Sequence, residues 1–244
     1  MVTPQLSPED RRARSEQVSC ADIVDALGRR HRHRAHLLDL VSPTPGRLLF
    51  GPAVTISFFP TKNLGGFGDG GLILTPREDV AERCRTLRFH GSKDKVDFEL
   101  VGYNSRLDEV QAALLRVLLK ELPGFNDARR AGAEVYRSLG LGSTLTVPAD
   151  EPGHVYHLFV CRSPERDRIR AALSEQGIGN AQYYPPPLHL QPALAHLGHK
   201  AGDLPETEQV AADNFSVPLW AGIDLATQER VVDAVRAAVG VRSA

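Results

Sequence analysis

The chain has 244 residues, 42% hydrophobic and 24% charged, with a formal net charge of -1. This suits one large globular domain or two small ones, and excludes attraction of the whole molecule to nucleic acid or anionic lipid. No run of about 18 apolar residues occurs, so no membrane-spanning helix is expected. The opening stretch, MVTPQLSPEDRRARSEQ, is polar and lacks the apolar core of a secretory signal, so a cytoplasmic setting is expected. Cys20, Cys84 and Cys161 are far apart and show no C-x-x-C spacing. They read as free thiols of a reducing cytosol, with no metal site.

Residues 7–30 read as helical. Ser7-Pro8-Glu9-Asp10 supplies a cap, a first-turn proline and early acids, and Gly28 is a stop. The basic, histidine-rich run RRHRHRAH (29–36) reads as a solvated face or loop, because its histidines have no metal-ligand spacing with acids. Residues 37–51, with Pro43, Pro45, Gly46 and Gly51, read as loops around a short strand. AVTISFF (53–59) predicts a buried strand. The glycine-dense TKNLGGFGDGG follows, then a short strand over 72–75. Val80, Cys84 and Leu87 predict a helix over 78–89, and residues 90–104 a polar loop.

The apolar stripe Leu107, Val110, Ala113, Leu114, Val117, Leu118 predicts a helix over 106–122, ended by Pro123-Gly124. A separate helix is expected over 127–139, then a glycine- and proline-rich linker over 140–153. Strands are expected over 154–162 and 180–184. Helices are expected over 167–176, 206–214 and 226–239. The order β-α-β-α-α after residue 153 predicts a small α+β domain.

The chemistry concentrates in SFFPTKNLGGFGDGG (57–71). A lysine directly after a hydrophobic strand is unusual, because burying an ammonium costs several kcal/mol unless it is used or neutralised. A neutral, sheltered amine is what Schiff-base formation needs. The glycines allow close backbone approach, and Ser57 could donate a hydrogen bond to a phosphate. On these residues alone, a solvated lysine in a surface loop is the competing reading.

The segment resembles the cofactor-lysine signature of the DegT-type sugar aminotransferases, S-F-x-P-T-K-N-L-G-x-x-G-D-G-G. LRFHGS (87–92), GYNSRLDEVQAALL (102–115), HVYHLFV (154–160) and QYYPPPLHLQPA (182–193) follow in the family's order. The resemblance implies an α/β fold: a truncated fold type I pyridoxal-phosphate transferase large domain (57–149, with a dimer helix) followed by a small α+β domain (150–244). It implies pyridoxal 5'-phosphate as cofactor, with Lys62 as the Schiff-base lysine and proton shuttle. Ser57 would contact the cofactor phosphate. Asn104 would reach the phosphate in a neighbouring subunit, which implies a homodimer, and Arg106 would order its loop. Asp108 and Glu109 are explained by the helix dipole without a functional role. Tyr184 and His189 match the segment lining the sugar pocket, with a structural role open for His189. The substrate implied is a keto-sugar, nucleotide-linked, with glutamate or a similar amino donor.

Family members carry, ahead of the lysine, a glycine-threonine phosphate loop, a ring-stacking residue and an aspartate for the pyridine nitrogen. These motifs do not precede Ser57, and Asp39, in LLDLVSP, does not match the aspartate stretch. Instead, residues 18–61 resemble the start of RraA-like proteins, with S-x-x-D-x-x-D-A-L and G-P-A-V-T elements. Two further readings therefore stand beside the aminotransferase. One is a non-catalytic partner of an intact homologue. The other is an RraA-like lyase or regulator.

Overall fold

The computed structural model describes residues 53–75 and 77–240. The expected helix over 7–30, the histidine-rich run and the loops of 37–51 lie outside them. So do residues 18–52 of the RraA-like stretch. The chain forms two compact units, Met1–Pro123 and Gly124–Ala244. This division falls inside a helix.

In the first unit, β1 (Val54–Ser57) and β2 (Gly71–Leu74) form an antiparallel pair, with Val54 opposite Leu74 and Ser57 opposite Gly71. The expected buried strand is thus shorter, and along it half-buried residues alternate with exposed ones. Phe58, Leu64, Leu72, Ala112, Leu115 and Leu122 form the core of this unit. α1 (Glu78–Arg88) carries acids in its first turn and Arg85 and Arg88 in its last, matching the helix dipole at both ends.

α2 (Glu109–Ser138) is one helix, with Pro123 inside it, where two were expected. A proline removes one backbone hydrogen bond and crowds the preceding turn. Packing outweighs that loss. Ala112, Leu115, Leu122, Asn126, Arg129, Ala133 and Tyr136 are all buried, and Leu119 packs against the first core. Their spacing alternates between three and four residues without a break across Pro123, the signature of one continuous helix face.

In the second unit, β3 (Phe159–Arg162) pairs antiparallel with β4 (Asn214–Val217). α3 (Arg166–Glu175) packs on α5 (Leu225–Val239), and α4 (Pro205–Asp213) leads directly into β4. Tyr136, Phe159, Cys161, Phe215 and Val235 are fully buried in the core. Burial pushes the Cys161 thiol up to about 12. Asp224 caps α5 by accepting from the Thr227 N–H at 2.7 Å.

Two expected strands are corrected here. Residues 154–158 are not strand, and the carbonyls of two of them are drawn elsewhere. The Arg129 Nη1 group, buried, lies 3.1, 3.2 and 3.0 Å from the carbonyl oxygens of Tyr156, His157 and Leu219. Tyr156 also sits at φ 41°, off the extended region. Over 180–184, only Ala181 bridges to Ser216. The Tyr183 N–H donates to the Asn214 side chain at 2.9 Å, and three prolines without N–H groups follow. β4 itself was not expected.

Candidate active site

Lys62 follows β1 through a tight turn. Ser57 ends the strand, and its Oγ accepts from the Phe59 N–H at 3.2 Å. The Lys62 N–H donates to the Phe59 carbonyl at 2.8 Å. The loop base is closed by Phe58, whose N–H donates to Gly70 at 2.8 Å and whose carbonyl accepts from Gly66 at 2.7 Å. Lys62 is half-buried and Ser57 exposed. The lysine is therefore sheltered in part, less than the sequence reading expects, and it shares one turn with the serine hydroxyl.

Gly65 explains why the turn can be so tight. A Cβ there would stand 2.4 Å from the Pro60 carbonyl oxygen, too close for any other residue without backbone movement. On the opposite side, the Phe67 N–H donates at 2.8 Å to Oε1 of Gln111, in the first turns of α2. The sequence reading quoted Gln111 within a motif and gave it no role.

Asn104 is exposed and bridges to Phe89. It is brought there by a backbone crossing at Gly91 and Gly102, where a Cβ on Gly102 would lie 2.0 Å from the Gly91 nitrogen. The Arg106 Nε donates to Asn104 Oδ1 at 3.3 Å, and its guanidinium lies 5.8 Å from the Phe89 ring centroid. That is the ordering role expected of Arg106. A cleft of about 720 Å³ opens beside β2 and α1, lined by Thr55, Ile73, Arg88, Asn104 and Arg106 among others. Ser57 and Lys62 do not line it. Ser57 and Lys62 thus both bond to Phe59 in the loop after β1, and Asn104 lines a separate hollow of the same unit.

Tyr184 and His189 belong to the second unit. Tyr184 is exposed and meets Tyr183 edge-on at 5.0 Å. His189 is buried, and its Nε2–H donates to Glu208 Oε1 at 3.0 Å. Glu208 also accepts from the Gly202 N–H at 2.9 Å. His189 first, then the Gly202 amide, holds the Glu208 carboxyl below its usual range. The sequence reading missed Glu208, which sits 19 residues from its partner with no motif to mark it.

The pieces fit a phosphate-bearing aldehyde cofactor at one end. Lys62 would hold the aldehyde and the Ser57 hydroxyl, on the same loop, the phosphate. The family model described as DegT/DnrJ/EryC1/StrS aminotransferase family matches residues 49–236. The chain belongs to that family. The matched segment takes in residues 49–61 of the RraA-like stretch.

Among its relatives, a pleiotropic regulatory protein of Geobacillus stearothermophilus is 46% identical, over 76% of this chain and 51% of its own length. The dTDP-3-amino-3,4,6-trideoxy-alpha-D-glucose transaminase of Streptomyces venezuelae is 40% identical, over 84% of this chain and 57% of its own. The solved structure of S. venezuelae DesV in complex with a ketimine intermediate superposes with a TM-score of 0.69 at 41% identity, covering 78% of this chain and 53% of that one. The chain therefore spans about half the length of the DegT-family relatives it matches. Among the described residues, no helix is long and apolar enough to cross a membrane.

Proposed function

We propose that the protein is a pyridoxal-phosphate-dependent aminotransferase that moves an amino group from glutamate, or a similar donor, to a nucleotide-linked keto-sugar. The observation that supports this is the loop after β1, where Ser57 and Lys62 both bond to Phe59 and Gly65 leaves no room for a side chain against Pro60. When bound, pyridoxal phosphate supplies the electron sink for the transfer. The Lys62 Nζ holds the cofactor aldehyde and moves the proton at the substrate carbon that gains or loses nitrogen. The Ser57 hydroxyl donates to the phosphate. Tyr184 lines the sugar side, and His189, tied to Glu208, shapes the segment around it.

Residues 57–149 are assigned as the cofactor-binding portion and 150–244 as the small domain. The working form is a dimer in which Asn104 serves the neighbouring copy. Exposed Phe98, Val101 and Tyr103, which precede Asn104, support an interface there. Cys84 and Cys161 as free thiols support a reducing, cytoplasmic setting.

The test is direct. Purified protein mixed with pyridoxal phosphate and reduced with borohydride should yield a pyridoxyl-modified peptide containing Lys62. Lys62→Ala should lose both that adduct and the visible absorbance. An unmodified Lys62 in the wild-type chain would sink the catalytic reading. The second reading is a partner subunit supplying Asn104 to an intact homologue. It is favoured by the same apolar surface, and it predicts co-elution with such a homologue without any Lys62 adduct.

A further inference from the structure

The loop that carries Lys62 is held at its base by its own backbone, through Phe58, Gly66 and Gly70. Its far side is held differently. The Phe67 N–H, five residues past the lysine, donates at 2.8 Å to the side chain of Gln111, 44 residues away in sequence. The carboxamide of Gln111 enters between two glycines. A Cβ on Gly66 would stand 3.0 Å from Oε1, and one on Gly68 3.0 Å from Nε2. Both distances are tighter than ordinary van der Waals contact, so side chains at these positions would push the amide out.

The glycines at 66 and 68 thus have a specific use: they admit one helix-borne amide into the loop. Gln111 itself is anchored by its helix, whose next residue, Ala112, is fully buried, as is Leu115 one turn on. Motion of Gln111 is therefore limited by the core, and the loop inherits that limit.

We infer that Gln111 is the positioning residue for Lys62, locking the glycine loop against α2 so that the amine stays in a single presentation. It touches neither substrate nor cofactor in this role. It acts through the Phe67 amide and the loop.

The inference separates acceptor chemistry from mere volume. Gln111→Met keeps the length and loses the acceptor, whereas Gln111→Glu keeps an acceptor oxygen for Phe67. Two measurements need no cofactor. Hydrogen exchange of the Phe67 amide should accelerate about tenfold in Gln111→Met, a change on the scale of one net hydrogen bond. It should return toward the wild-type rate in Gln111→Glu. Acetylation of Lys62 under trace labelling, followed by mass spectrometry, should change at least about threefold in Gln111→Met and revert in Gln111→Glu, a fraction of one hydrogen bond.

A third measurement, the yield of borohydride-trapped pyridoxyl-Lys62, rests on the proposed role of the lysine and should fall in parallel. If wild-type protein gives no adduct, the aminotransferase reading falls, and the two cofactor-free measurements still decide the role of Gln111. If Phe67 exchange accelerates while Lys62 labelling stays at the wild-type rate, Gln111 is only a structural brace and the inference is overturned. Should Gln111→Met fail to fold, Gln111→Asn, one methylene too short to reach Phe67, carries the same comparison against Gln111→Glu.

Discussion

Arg129 shows how much one side chain can organise. It is buried, desolvation lowers its pKa, and its Nη1 gathers three carbonyl oxygens from two separate segments. Replacing it with methionine keeps much of the apolar packing but strands those carbonyls in the core. A loss of about 3 kcal/mol is expected, the scale for buried polar groups left without partners. The urea midpoint of Arg129→Met at neutral pH checks it. The same residue limits what the sequence reveals. HVYHLFVCR alternates like a strand, yet a guanidinium arriving from 27 residues upstream claims the Tyr156 carbonyl that a neighbouring strand would otherwise use. Lys62 was legible because its neighbours form a dense local signature. Gln111 was not, since a glutamine in the first turns of a helix looks like any solvated position, and the amide it serves lies 44 residues earlier.

At the level of elements, α2 is the instructive case. Pro123-Gly124 is a strong local stop, and the expected apolar stripe misses the inward face, since Val110, Ala113 and Val117 are exposed whereas Ala112, Leu115 and Leu122 are buried. Past the proline, the buried positions Asn126 and Arg129 are polar, which removes what hydropathy signal the inward face had. Since Pro123 breaks a backbone hydrogen bond inside a helix held by its flanks, Pro123→Ala should raise stability by about 2 kcal/mol, the helix-propensity gain less the entropy that proline removes from the unfolded chain. A higher urea midpoint with unchanged fluorescence and slightly greater helical ellipticity is the expected result. β4 escaped notice for the opposite reason. Four residues between a helix and Pro218 carry too little periodicity to be read, and only pairing with β3 defines them.

For the molecule as a whole, resistance to acid rests on carboxylates held below their usual range in both units, Asp79 and Asp94 in the first and Asp213, Asp224 and Glu208 among those of the second. Asp213 receives a bidentate Arg162 contact at 2.7 and 2.8 Å, which holds its carboxyl below the usual range. Asp224 is lowered by the Thr227 amide it caps, and Glu208 by His189. A carboxyl depressed in the folded state adds stability that is complete above the unfolded value, about pH 4, and is lost as pH falls through the folded one. Unfolding midpoints measured from neutral pH downward should therefore drop below about pH 4, with a shallower acid limb in Asp213→Asn. The unbroken face of α2 has a different consequence, concerning length. Both hydrophobic clusters draw residues from this one rod, Ala112 and Leu115 for one, Ala133 and Tyr136 for the other. Within the second unit, inserting a single residue between Arg129 and Ala133 would turn one half of the buried face about 100° away from the other. Evolution can rewrite the exposed letters of that stretch, but it cannot change how many there are.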